Sequence, residues 1–145
     1  IMGNLDSLRD WGHAKDFVEA QWLIMQHDKP DDFVISTGVQ YSVREFIEKA
    51  ADEIDIKIEW SGKGINEIGT DSNTGKEIIG VDKKYYRPSE VQSLLGDSSK
   101  AKKELGWNPQ TSFEELVKEM ISADMLNEER NLNSSKKFSY YENSE

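Results

Sequence analysis

Between Ser42 and Trp60 the hydrophobic period switches from helical to extended, which limits the chain to folds that combine helices with strands. Ser42 and Glu45 have the spacing of a capping box, in which the serine hydroxyl takes a first-turn amide and the glutamate returns to the cap amide. Val43, Phe46, Ile47, Ala50, Ala51 and Ile54 then fall on one helical face. Ile56, Ile58 and Trp60 alternate with Lys57 and Glu59, the period of a strand with one buried face.

The same alternation of elements continues on either side. Ala14, Phe17, Val18, Trp22 and Met25, widened by Leu23 and Ile24, make an apolar stripe on a helix from His13 to about Asp28, with Pro30 just past its end. Phe33-Val34-Ile35 reads as a short buried strand closed by Gly38. Residues 61–76, rich in Gly, Asn, Ser and Thr, read as a mobile surface loop, and Glu77 to Val81 as a further strand. Ser98 to Leu105 is a short helix ended by Gly106, with Pro109 following. Ser112 and Glu115 form a second capping box, ahead of a helix whose stripe is Phe113, Leu116, Val117, Met120 and Ile121. The expected class is α/β: a small mixed sheet of three short strands with flanking helices, too modest to be a complete dinucleotide fold. Residues 1–126 form the expected domain, and the polar stretch 127–145 is expected to be a flexible tail.

With 145 residues, 36% of them hydrophobic, the chain is long enough for one domain with a core. Its formal net charge of -10 disfavours nucleic acid and anionic lipid as partners, so an anionic ligand would need a locally positive pocket. No apolar run approaches a membrane span, and no cysteine is present, which fits a reducing cytoplasm. The opening Ile1-Met2-Gly3 reads as an extended segment cut from something longer.

Catalytic signatures are missing from the sequence. The glycines never fall into Gly-x-Gly-x-x-Gly. Gly69 to Lys76 fails as a phosphate loop, because Thr74 stands where the second glycine belongs and Glu77 follows the lysine. No tyrosine is followed four residues later by lysine. His13 with Asp10 and Asp16 has the spacing of metal ligands, but acids near a helix start more simply cap it, and no metal site is expected. Trp11, Trp22, Trp60 and Trp107 are scattered over separate elements, as packing residues would be, with Trp11 notable for its closeness to Arg9.

Two arginine-centred segments carry the binding chemistry: Arg9-Asp10-Trp11-Gly12-His13-Ala14-Lys15-Asp16 and Tyr86-Arg87-Pro88-Ser89-Glu90-Val91. A planar guanidinium makes two parallel charge-assisted bonds to phosphate oxygens, which suits a diphosphate. Arg9 lies just before the first helix start, where free amides also attract anions. Pro88 stiffens the backbone after Arg87. Glu90 adds a carboxylate able to accept from the two hydroxyls of a ribose.

Gly3-Asn4-Leu5-Asp6 and the run from Arg9 to Asp16 resemble the family of GDP-mannose 4,6-dehydratases. So do Ser42-Val43-Arg44-Glu45-Phe46, the segment from Tyr86 to Val91, and Leu95-Gly96-Asp97. Lys100-Ala101, Leu105-Gly106-Trp107 and Pro109 resemble the closing pattern of extended short-chain dehydrogenases that act on nucleotide sugars. The similarity runs to about residue 126. Its specific part is the run through Trp11 and Gly12, where sister epimerases differ.

The resemblance implies the C-terminal, substrate-binding portion of such an enzyme, lacking the Rossmann half. The family uses NADP to oxidise the sugar of GDP-mannose at C4, eliminate water across C5 and C6, and return the hydride to C6. The product, GDP-4-keto-6-deoxy-mannose, is a precursor of GDP-fucose. The cofactor site and catalytic residues belong to the N-terminal half, so no catalytic residue is expected here and the chain alone is expected to be inactive. By resemblance Arg9 and Arg87 approach the diphosphate, Glu90 holds the ribose hydroxyls, and Asn4 lies near the nucleotide. The expected partners are GDP-mannose, the missing Rossmann half, and further copies of the chain in a homo-oligomer. Two alternatives stand beside this reading: another nucleotide-sugar epimerase or dehydratase, and a non-catalytic binding module.

Overall fold

The computed structural model describes residues 1–87, 91 and 93–142, with residues 133–142 described by their backbone alone. Among the described residues, five strands and four α-helices follow in the order β1 (Leu8–Asp10), α1 (Ala14–Gln26), β2 (Gln40–Ser42), α2 (Val43–Asp52), β3 (Ile58–Ser61), β4 (Ile68–Asp71), β5 (Glu77–Gly80), α3 (Ser99–Leu105) and α4 (Phe113–Glu142). The α/β class with small sheets and flanking helices is as the sequence implies. The strands, however, divide between two antiparallel sheets: β1 pairs with β2, and β3-β4-β5 form a meander.

Local signals predict the helices well. Ser42 and Glu45 close a reciprocal capping box at α2, and Ser112 N donates to Glu115 Oε2 at 2.8 Å while Glu115 N donates to Ser112 Oγ at 3.2 Å at α4. Hydrogen bonds from the backbone amides of Ser42 and Ser112 hold the Glu45 and Glu115 carboxyls below their ordinary range. Gly106 ends α3 in the left-handed conformation. α4 continues to Glu142, through the stretch whose composition suggests a tail.

Three expectations are corrected. Residues 61–76 are not simply a loop: a 3-10 turn spans Gly64–Asn66, and β4 lies between β3 and β5. Gly69 hides that strand in the sequence, yet it is required there, since a Cβ would press to 2.9 Å from the Trp60 ring of the facing residue. Phe33-Val34-Ile35 forms no strand, because no described strand lies beside it to share a ladder. The α1 stripe is only partly buried: Val18, Trp22 and Met25 are 60%, 61% and 81% exposed.

Burial centres on Trp107, 1% exposed, packed with Ala20 and Ala101 against Leu23, Phe33, Ile35 and Leu105. Val117 and Phe113 of α4 are also buried. Asp16, only 3% exposed, fastens this core. Its backbone carbonyl accepts the Trp107 indole N–H at 2.8 Å. Its Oδ2 accepts the amides of Gln110 at 3.1 Å and Thr111 at 2.9 Å. Replacing Asp16 with Ala would strand two partly buried donors, costing about 3 kcal/mol of stability. Thermal unfolding of Asp16→Ala should show a clearly lowered midpoint, with Asp16→Asn losing less; an unchanged midpoint for Asp16→Ala would contradict this role.

Candidate binding cleft

The segment from Met2 to Arg9 is sewn to the chain after β5. Met2 N donates to Gly80 O at 2.8 Å, Asp82 N donates to Met2 O at 3.0 Å, and Met2 pairs with Val81 in a parallel bridge. Asp82 then turns the chain back: its carbonyl accepts Tyr85 N at 3.0 Å and Tyr86 N at 3.1 Å, and its Oδ1 accepts Lys84 N at 2.8 Å. Gly3 sits so close to this turn that a Cβ would clash with the Tyr85 carbonyl oxygen. On the other side, Leu5 O accepts Arg44 N at 2.9 Å and Ser7 O accepts Val43 N at 3.2 Å, fixing the segment to the start of α2.

These stitches form a cleft of about 420 Å³ lined by Met2, Gly3, Asn4, Ser7, Arg9, Trp11, Val43, Tyr85 and Arg87. Asn4, Arg9 and Arg87 therefore meet, although Arg87 lies far from the other two in sequence. Pro88 and Glu90 lie outside the described residues. A second cavity of about 390 Å³ shares Asn4 and Ser7 and adds Asp6, Leu8 and Tyr86.

Each site residue is held in its own way. Arg9 is on β1, opposite Tyr41 of β2. Its Nη1 donates to Leu8 O at 2.7 Å and to Val91 O at 3.2 Å, so the guanidinium ties the strand to the segment after Arg87. Arg87 is exposed and lines the same cleft. Asn4 Oδ1 accepts the Asp6 amide at 3.0 Å, leaving the amide end of the side chain as a donor. Trp11 is a fixed wall: its indole N–H donates to Tyr41 O at 3.1 Å and its ring lies 4.7 Å from that of Phe46.

One expected contribution is absent. The start of α1 does not assist Arg9, since His13 caps it by accepting Lys15 N at 3.0 Å and none of its residues lines the cleft. The positive character comes from side chains, within a chain of net charge -10. The residues that suggested a metal site have separate duties. Asp10 accepts from Thr37 and Gly38, Asp16 fastens the core, and His13 Nε2 lies 3.4 Å from Glu119. Among the described residues no cluster could hold a metal ion, and no helix is long and apolar enough to cross a membrane.

Sequence reading missed Ser7, Gly3, Val43 and Tyr85 as cleft residues. Tyr85 adjoins a flagged segment, but nothing in its residue type marks it for binding. A third cavity, about 330 Å³ between Trp11, Tyr41, Pro109 and Phe113, has Glu114 as its one charged lining residue and suits an anion poorly.

The architecture belongs to the extended short-chain dehydrogenase/reductase class. UDP-glucose 4-epimerase from Thermotoga maritima, solved with UDP-glucose, matches with a TM-score of 0.61 at 25% identity over 88% of this chain and 34% of that one. RMD from Pseudomonas aeruginosa, complexed with NADPH, matches with a TM-score of 0.62 at 17% identity over 83% of this chain and 34% of that one. Within the class, the family model for GDP-mannose 4,6 dehydratase matches residues 1–120, and the chain belongs to that family. The human GDP-mannose 4,6 dehydratase is 56% identical over 124 residues, which are 86% of this chain and 33% of the relative. The chain thus spans about a third of the length of the curated relatives it matches.

Proposed function

We propose that this chain is the substrate-gripping part of a GDP-mannose 4,6-dehydratase, an NADP-dependent lyase, and that the cleft takes the diphosphate of GDP-mannose between Arg9 and Arg87. The observation that carries the reading is the shared cleft of Asn4, Arg9 and Arg87. Two guanidiniums lining one cleft can each engage phosphate oxygens in paired charge-assisted bonds. Arg9, held by backbone carbonyls, enters such a complex already oriented. Glu90 is assigned the ribose hydroxyls on the same reading, and Asn4 a contact near the nucleotide.

The chain has no Gly-x-Gly-x-x-Gly turn to receive NADP. Hydride transfer and dehydration are therefore assigned to the rest of the parent protein, and this chain alone is expected to be inactive. Residues 1–126 are assigned to the substrate domain and 127–145 to a polar tail. The acidic, cysteine-free composition fits the cytoplasm, where we place the parent enzyme.

NMR titration of the isotopically labelled chain with GDP-mannose tests the reading. Shifts should cluster around Arg9 and Arg87 and be weaker with a UDP-sugar. Arg87→Lys keeps the charge but loses the paired geometry, and should weaken binding roughly tenfold. Equal affinity for the two proteins would contradict the assignment.

The face of α1 that carries Val18, Trp22 and Met25, together with Val34 (54% exposed), supports a partner surface. We assign it to the Rossmann half of the parent enzyme. In the isolated chain a second copy substitutes, giving a homo-oligomer. Sedimentation should then show a dimer that Trp22→Glu dissociates; a wild-type chain that stays monomeric at high concentration would contradict this.

A further inference from the structure

Ser7 is 3% exposed, and its hydroxyl has no hydrogen-bond partner. A buried polar group left unpaired is costly, commonly by about 1–3 kcal/mol, so each instance calls for a physical reason. The residue cannot drift to relieve that cost. Its carbonyl accepts Val43 N, and the neighbouring Leu5 O accepts Arg44 N, which pins the backbone to α2. Leu5 beside it is itself 2% exposed. The backbone of Ser7 is thus held in place, while its hydroxyl keeps an unused donor.

Ser7 as a residue belongs to the cleft wall, with its hydroxyl oxygen buried just behind that surface. Ser7 lines both the cavity that holds Arg9 and Arg87 and the adjoining one that holds Asp6 and Tyr86. Among the described residues, Asn4 is the only other one common to both. The second unpaired buried group, Gln40 Nε2, differs on both counts: Gln40 lines neither of these cavities, and its Oε1 accepts from Ser93 Oγ at 2.8 Å.

We propose that Ser7 is a ligand-binding residue whose hydroxyl donates to a phosphate oxygen of a nucleotide-sugar diphosphate held between Arg9 and Arg87. The proposal rests on the assignment of that cleft to a diphosphate. Rotation about χ1 moves the hydroxyl between staggered positions without moving the backbone. A diphosphate oxygen supplies the acceptor that the free protein lacks, and the negative charge makes the bond a strong one. The unpaired hydroxyl of the free chain is then a group prepared for its ligand. The guanidiniums provide charge, and Ser7 fixes where the diphosphate sits between them.

Ser7→Ala separates this role from a structural one. Calorimetry and thermal unfolding are run on wild type and variant, with GDP-mannose, GDP and inorganic pyrophosphate as probes. Because no bond is lost in the free protein, the variant should unfold at the wild-type temperature or above. Its affinity for all three probes should fall together, by roughly tenfold for a bond to a charged acceptor. Unchanged affinity in a variant that unfolds at a lower temperature would overturn the proposal and make Ser7 a packing residue. Loss confined to GDP-mannose would overturn the diphosphate contact and place the hydroxyl at the sugar. Failure of the wild-type chain to bind any probe would overturn the cleft assignment itself, and the proposal with it.

Discussion

The carboxylate of Asp16 is the point on which the rest of the structure depends. By accepting two backbone amides it draws the Gln110–Thr111 segment onto α1, and its own carbonyl seats the Trp107 indole. α4 starts immediately afterwards, which sets the position of Phe113. Phe113 stacks on Tyr41 with ring centroids 3.9 Å apart and planes 7° from parallel. Tyr41 is the cross-strand partner of Arg9. A carboxylate in the core thus reaches the cleft through one helix start, one aromatic stack and one strand pair. Buried charge is costly unless its hydrogen bonds are satisfied, so such a group holds its partners in a narrow range of geometries.

A second constraint is electrostatic. The chain as a whole repels anions, and the start of α1 is not turned towards the cleft. An anion in the proposed site would therefore rely on the Arg9 and Arg87 guanidiniums that line the cleft. Arg9 bonds to Leu8 O and Val91 O, which makes it at once a structural tie and a cation in the wall. Arg44, beside the cleft, is committed to Asp6 at 2.9 Å and Glu67 at 2.7 Å, and stands over the Trp60 ring. Those contacts brace the meander against α2 and make Arg44 a structural cation, although its charge is the same.

What the sequence made legible was what depends on neighbours a few residues away. The capping boxes at Ser42 and Ser112, the Gly106 stop and the alternation leading into β3 all rest on short-range rules. β4 was hidden because Gly69 and Asp71 interrupt the strand preference of Ile68 and Thr70, and the pairings with β3 and β5 that hold it lie beyond the reach of local rules. Phe33-Val34-Ile35 failed in the opposite sense: its residues favour a strand, but a strand needs a paired edge. The exposed Val18, Trp22 and Met25 follow helical spacing faithfully, yet spacing does not say which side of a helix its own chain covers. In the cleft, Arg9 and Arg87 could be singled out because guanidinium chemistry is distinctive. Ser7 could not, since a serine declares itself only when burial and an unpaired hydroxyl are seen together.

The most direct measurement is a crystal structure of the chain grown with GDP-mannose. The diphosphate should lie between the Arg9 and Arg87 guanidiniums, in the cleft walled by Asn4, Ser7 and Trp11. Density for the ligand in the Trp11–Tyr41–Phe113 cavity, with both guanidiniums free of phosphate, would contradict it.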